Sequence, residues 1–479
     1  MLFAANYAPS PWMILPFVVL LGVIALAPLA CPQWWLRHYP KVALSLGSIT
    51  LGYYWFVLGG DARHTVAHTA HEYVSFIALI GSLFVVSGGI HIHVKGESTP
   101  LANTVFLAIG AVLANFLGTT GASMLLIRPW LRMNKYRITK HHVVFFIFIV
   151  SNAGGCLTPI GDPPLFLGYL KGIPFWWVLK HCWFIWLVAV SLLLAIFYWM
   201  DLRNYRRAPQ SVRDHLAEPS DHWRFDGLGN LFFLGVILGA VFINRPAFLR
   251  EAIMVAAAVG SYFTTRRSVH EANHFNFHPI QEVAILFIGI FSTMMPALDY
   301  LQDNAARMGT PTPALYYWGC GALSSVLDNA PTYLNFLSAC QGAFGTPEIM
   351  QAARDALAAS PALDPATLSG PHAEQVRYIL SGLQQMGVPP SAKQEITREH
   401  LQIALLLGSP AQVKLLVAIS VAAVFFGACT YIGNGPNFMV KSIAEHQKVH
   451  VPSFIEYVWR FTLPFLLPVL VIVWLLFFR

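Results

Sequence analysis

The sequence predicts an all-α polytopic membrane protein made of two inverted-topology repeats, with re-entrant hairpins and discontinuous transmembrane helices. Three observations lead to that class. First, 56% of the 479 residues are hydrophobic and only 11% are charged, against about 25% charged in soluble domains. A water-soluble chain of this size could not hide so much apolar surface, because single cores stop growing and split into domains. Second, the apolar residues fall in runs that approach or reach the roughly 20 residues needed to span a bilayer. Third, two decapeptides inside such runs nearly repeat each other. LTPIGDPPLF (157–166) and CTYIGNGPNF (429–438) share Thr, Ile, Gly, Pro and Phe at five of ten positions.

Ten spanning segments follow from the runs, near 11–30, 42–60, 72–92, 141–170, 176–200, 226–244, 248–264, 279–298, 411–444 and 453–478. The residues before the first run, MLFAANYAPS, contain no Lys or Arg, so that run is expected to be a retained helix rather than a cleaved signal. Two further apolar stretches, 101–127 and 313–340, are interrupted by GTTGAS and DNAPTY. Each is read as a re-entrant hairpin, since irregular backbone at membrane depth is tolerated only where protein or a cavity surrounds it.

Loop charge orients this arrangement. Segment 128–140 carries five basic residues and no acid, the linker 201–226 holds five Arg, and Arg266 and Arg267 follow the seventh span. If both hairpins return to their own side, every Lys/Arg-rich loop lies on one face, which the positive-inside rule makes cytoplasmic. Both termini are then outside, and the membrane is expected to be a bacterial inner (plasma) membrane. The net charge of +7 belongs to these loops, and no nucleic-acid partner is expected. The six Cys form no CxxC pair and are read as small core residues. The resulting domains are a first transmembrane repeat at 1–200, a cytoplasmic linker at 201–226 and a second, inverted repeat at 227–478. A polar, Ala-rich extramembrane insertion occupies 341–408.

The decapeptide match has company. GAVLANFLGTTG (110–121) pairs with GALSSVLDNAPT (321–332), and FIALIGSLF (76–84) with AILFIGIFS (284–292), in the same order. An odd number of crossings separates the halves, so the second is upside down. Inverted repeats with broken helices are the mark of secondary transporters, with substrate near the midplane where the repeats meet.

A broken helix exposes carbonyls at one half-helix end and N–H groups at the other. The carbonyls, joined by Thr, Asn and Asp oxygens, suit a hard cation; the N–H groups suit an anion. The expected first half-site is Thr119, Thr120 and Ser123 at the hairpin tip with Ser151, Asn152, Thr158, Gly161 and Asp162 in the broken span. The second is Asp328, Asn329 and Thr332 with Thr430, Gly433, Asn434 and Asn437. Each half-site thus holds one carboxylate, contributed by a different element, and two similar but unequal Na⁺ sites built around Asp162 and Asp328 are expected. An ionisable group at mid-membrane is a functional candidate by default. The competing role for Asp162 is to cap the half-helix that begins at Pro163. Neither half-site contains Lys or Arg, which favours a cation as cargo. Na⁺ and H⁺ are the expected transported or coupling ions, with no other cofactor. Lipid is the expected partner, and a homodimer is expected by analogy.

The stretches FIVSNAGGCLTPIGDPPLFLGYLKGIPF (148–175), SMLLIRPWLRMNKYR (123–137) and SSVLDNAPTYLNF (324–336) resemble the ion-transporter superfamily. That group includes sodium/proton antiporters, arsenite pumps, and citrate and dicarboxylate transporters. The chain is most similar to its sodium:proton antiporter/citrate transporter (CitMHS-like) branch over nearly its whole length. The resemblance implies two hairpins and two broken helices that form ion sites and move in an elevator-like way. Dicarboxylate carriers of the superfamily often have Ser-Asn-Thr at both tips. Here the tips read Gly-Thr-Thr-Gly and Asp-Asn-Ala-Pro. Sodium/proton antiport is therefore the first expectation and cation-coupled citrate or carboxylate transport the second.

A rival reading from another class is a membrane di-iron oxidoreductase. The stretch HTVAHTAHE (64–72) resembles one of its histidine boxes, with His91, His93, His141 and His142 as further ligands. A metal site needs its ligands on one side of the membrane. The topology above places His64, His68 and His71 outside and His141 and His142 inside, so no enzyme is expected.

Overall fold

A computed structural model describes residues 9–93, 99–208, 224–243, 245–307, 309, 311–359, 368, 370–388 and 396–479. Most of the linker expected at 201–226 therefore lies outside the described residues, as do parts of the insertion 341–408. In chain order the main helices are α1 (Leu15–Ala30), α2 (Pro32–Gly52), α3 (Gly60–Gly88), α4 (Pro100–Met133), α5 (Lys140–Ile149), α6 (Pro163–Leu170) and α7 (Phe175–Arg207). They continue as α8 (Asn230–Ala240), α9 (Leu249–Thr264), α10 (Arg267–Ala272), α11 (His278–Asn304), α12 (Pro313–Ser324), α13 (Asn329–Phe344), α14 (Pro347–Ala359) and α15 (Ala373–Gln385). The chain closes with α16 (Arg398–Gly408), α17 (Pro410–Phe426), α18 (Gly435–His446), α19 (Phe454–Tyr457) and α20 (Leu467–Phe477). Two short strands, β1 (His91–His93) and β2 (Arg224–Asp226), pair antiparallel with His91 opposite Asp226; the apolar pattern held no sign of them. Among the described residues, eight helices are long and apolar enough to cross a membrane. The fold is thus that of an all-α multi-pass membrane protein. The segments expected at 226–244 and 248–264 form the shorter α8 and α9, with 11 and 16 residues.

One of those eight does not run straight. α4 opens with Thr99 accepting from the Ala102 N–H at 3.2 Å and Pro100 at its first position, a standard helix start. It breaks at Gly118, where φ is +72°, a conformation that only glycine takes without strain. The two ends then meet. Asn103 Nδ2 donates to Asn134 Oδ1 at 2.8 Å, and the Phe106 and Trp130 rings stack at 5.4 Å. A straight helix would hold Asn103 and Asn134 about 45 Å apart at 1.5 Å per residue, so α4 is a hairpin. α12 and α13 form another, with Tyr316 against Phe336 at 5.5 Å and a break before Asp328.

The discontinuous helices come from glycine and proline. α5 ends at Ile149 and α6 resumes at Pro163; between them the chain crosses itself. A Cβ on Gly161 would sit 2.1 Å from the Gly155 carbonyl oxygen, so only glycine fits. The second break repeats the crossing six residues apart, with a Cβ on Gly433 falling 2.6 Å from the Gly427 oxygen. The first halves, Val143–Val150 and most of α17, are among the most deeply buried of the described residues.

Polar contacts sort the helix ends into two groups. Tyr54 donates to Asp299 at 2.6 Å, and Lys171 pairs with both Glu72 and Glu399. Elsewhere Asp201 binds Arg137 and Asn103, Lys140 pairs with Glu456 at 2.7 Å, and His91 lies 2.6 Å from Asn273. Every one of these contacts joins residues that the loop-charge argument places on the same side. In a cysteine-less background, Arg63→Cys and Lys135→Cys, both at exposed positions, should respond oppositely to a membrane-impermeant maleimide in sealed vesicles. Equal labelling of both would contradict the arrangement.

Candidate functional site

The site begins with a backbone problem. Each broken helix leaves carbonyls and N–H groups at membrane depth without helical partners, and unpaired groups there cost several kcal/mol. Side chains close the gaps in a matching way. Thr158 Oγ1 accepts from Gly161 N–H at 3.1 Å and donates to the Asn115 carbonyl at 2.6 Å in the first hairpin. Thr430 Oγ1 accepts from Gly433 N–H at 3.2 Å and donates to the Ser325 carbonyl at 2.6 Å in the second. Asn437 Nδ2 takes the loose carbonyls of Gly427 and Thr430. Asn152 Nδ2 takes that of Ile147, and Asn115 Nδ2 that of Gly154.

These clamps bring both hairpin tips and both breaks onto one carboxylate. Asp162 Oδ1 accepts from Thr119 Oγ1 at 2.6 Å and Asn434 Nδ2 at 3.2 Å, and its Oδ2 accepts from Asn329 Nδ2 at 2.5 Å. Asn434 also donates to Asn152 Oδ1 at 3.1 Å, and Asn152 to Asn437 Oδ1 at 2.7 Å. Ser123 and Ser151 share a hydrogen bond at 2.8 Å. Thr119 N–H donates to the Gly161 carbonyl. Asp162 is 1% exposed, and every side chain that bonds to it is neutral.

This differs from the expectation of two half-sites with a carboxylate each. The donors to Asp162 come from both halves of the chain, so there is one centre. Asp328 does not join it by a hydrogen bond. Its Oδ1 accepts from Ala330 N–H at 3.0 Å and caps α13, while its backbone carbonyl accepts from Thr332. The capping role considered for Asp162 is the one Asp328 plays; the Asp162 side chain makes no cap bond to α6. The reason is local. Pro163 and Pro164 fill the first two positions of α6 and have no N–H, and the Leu165 N–H at the third goes to the Asp162 backbone carbonyl at 3.1 Å, so the carboxylate turns to side chains instead. Thr120 is half-buried and makes no bond to Asp162, but both line a cavity of ≈ 20 Å³ with Gly118, Ile160 and Phe166, room for one water-sized particle.

Sequence reasoning missed Asn115, which lay in plain view within GAVLANFLGTTG. It also missed the Arg137–Asp201 pair with His141 and His142. His142 Nε2 lies 3.0 Å and His141 Nε2 3.6 Å from Asp201 Oδ1, and this is the described group with metal-like spacing. Asp201 already takes Arg137 Nη2 and Asn103 Nδ2 on its other oxygen, and the guanidinium supplies the positive charge a metal would bring. His68 sits beside Glu72 at 3.6 Å, at the other end of the molecule.

Replacing Gly161 with Ala should cost about 2 kcal/mol or more, because the new methyl meets backbone rather than a flexible side chain. Asp328→Ala should cost about 1 kcal/mol as a lost N-cap, and Asp328→Asn far less, since Asn caps as well as Asp. Thermal unfolding followed in detergent checks this ranking.

No curated protein matches the chain. A family model described as "Putative citrate transport" matches residues 6–478; the chain belongs to that family and is a multi-pass membrane transporter, not an enzyme.

Proposed function

We propose that the protein is a secondary active transporter of a bacterial inner membrane that exchanges Na⁺ for H⁺ at Asp162. The observation that carries this reading is the setting of Asp162: buried between both hairpin tips and both helix breaks, and bonded to neutral donors alone. An ionised carboxylate in such a place needs a counter-charge. Among the described residues no Lys or Arg pairs with it, so a proton or a small cation is left to supply the charge. The ≈ 20 Å³ cavity beside it suits one dehydrated ion or water and is far too small for citrate. The helix starts aimed at the centre are poor anion sites. Pro163, Pro164, Pro331 and Pro436 each remove a backbone N–H that an anion would use.

In this reading the two chain halves are inverted repeats that meet at Asp162, Lys/Arg-rich loops face the cytoplasm and both termini lie outside. Thr119, Asn329 and Asn434 hold the carboxylate; Asn152, Asn437, Ser123 and Ser151 form the polar shell behind them. Thr158, Thr430, Gly161 and Gly433 keep the breaks in shape, and Asp328 and Thr332 hold the second tip. Alternating access, elevator-like, would carry the centre between the two faces.

A second reading, cation-coupled citrate transport, is favoured by the family's description. In it the same centre binds the coupling cation, and citrate enters beside it after the site opens. Proteoliposomes with an internal pH dye, challenged in turn with Na⁺, Li⁺ and citrate, separate the two. Proton movement driven by Na⁺ without citrate is expected, and a response to citrate alone would replace the first reading with the second. Asp162→Asn should lose at least about 100-fold of the flux while still inserting, whereas Asp328→Asn keeps most of it.

A further inference from the structure

Asp162 stands at the inner, N-terminal end of α6. Lys171 stands at the other end, as the residue that closes the helix. Its ammonium lies 2.8 Å from Glu72 Oε1 on α3 and 3.0 Å from Glu399 Oε1 in the first turn of α16. The three side chains are 14%, 5% and 26% exposed. Burial alone would lower the lysine pKa, but Glu399 and Glu72 more than offset it and hold the ammonium above the usual lysine range. Breaking a partly buried bridge of this kind is costly because the partners are left without compensation.

The elements that Lys171 joins give the bridge its meaning. α14, α15 and α16 belong to the insertion 341–408 and share a small core of their own, including Met350, Val376, Ile379, Leu383 and Leu401. α16 runs through the single residue Ser409 into α17, the first half of the second broken helix. The Lys171–Glu399 contact therefore ties the outer end of the first broken helix to the outer approach of the second. Gly172, at φ +105°, seats the same turn against the insertion; a Cβ there would come 2.9 Å from Met386 Cε. Any movement that parts the outer ends of the two broken helices must first separate Lys171 from Glu399.

We propose that Lys171 is a gating residue: its bridge to Glu72 and Glu399 locks the insertion over the outer ends of the broken helices, and releasing it opens the path from outside to Asp162. This rests on Asp162 being the transport centre, but the lock is testable without any flux. Hydrogen exchange on the purified full-length protein in nanodiscs would compare wild type with Lys171→Met, Lys171→Arg and Glu399→Gln. Lys140→Met is the control, because its pair with Glu456 is at the opposite face. Lys171→Met and Glu399→Gln should raise exchange in 398–408 by at least about tenfold, with Lys171→Arg and Lys140→Met near wild type. Glu399→Gln leaves the Lys171–Glu72 pair intact, so it guards against a Lys171→Met chain that fails to fold. In parallel, Thr120→Cys beside Asp162 should gain reactivity toward a water-soluble maleimide added outside when Lys171→Met is combined with it. Unchanged exchange in both Lys171→Met and Glu399→Gln would overturn the proposal. So would a loosened insertion with no gain at Thr120→Cys, which would make the bridge a clamp and not a gate. If Asp162→Asn retains full flux while the labelling gain is seen, the transport centre is misplaced and the gate stands.

Discussion

Backbone polarity in a lipid-surrounded interior is the constraint from which the rest of the structure follows. Two helices are broken at membrane depth, and every carbonyl and N–H group freed by the breaks needs a partner inside the protein. The chain meets this with amides and hydroxyls placed on the broken helices themselves and on the neighbouring hairpins. Asn115 and Thr158 serve the first break, and Asn437, Thr430 and the Ser325 carbonyl serve the second. Because Asn115 and Ser325 sit on the hairpins, and Asn434 of the second break takes the Ser151 carbonyl of the first, satisfying the backbone also pins the hairpin tips against the breaks. The polar centre at Asp162 is the space that this pinning leaves.

The division of labour between buried Asp162 and half-buried Asp328 follows in part from proline. Pro163 and Pro164 remove two N–H groups at the start of α6 and the Leu165 N–H takes the Asp162 backbone carbonyl, so the carboxylate oxygens collect Thr119, Asn329 and Asn434 from three other elements. Asp328 precedes Asn329 and Ala330, whose N–H groups are present, and it caps its own helix. Two acids, each directly before a half-helix, thus acquire different tasks through the residues that follow them.

Much of this was legible in the sequence. The apolar runs, the interruptions GTTGAS and DNAPTY, and the paired decapeptides mark the hairpins and breaks, because a glycine or proline at membrane depth needs a structural reason. The equivalence of Thr158 with Thr430 and of Gly161 with Gly433 was visible as identical letters, and it reappears as identical hydrogen bonds. What was not legible depends on distance along the chain. Asn329 and Asn434 reach Asp162 from 167 and 272 residues away, and no local pattern links them. The Glu72–Lys171–Glu399 bridge likewise joins three ordinary-looking charges from separate stretches. The fold-back of α4 was announced by GTTGAS, whose first residue is Gly118, but the contact it creates between Asn103 and Asn134, 31 residues apart, was not.

The central claim is that one carboxylate, Asp162, alternately holds a proton and a small cation. Carbodiimide modification tests it most directly, since the reagent attacks buried protonated carboxyls and mass spectrometry locates the adduct. The account predicts modification at Asp162 that Na⁺ suppresses in a concentration-dependent way and that rising pH also suppresses, with Asp328 little affected. Modification of Asp162 that is indifferent to Na⁺, or an Na⁺-protected adduct on Asp328 instead, would contradict it.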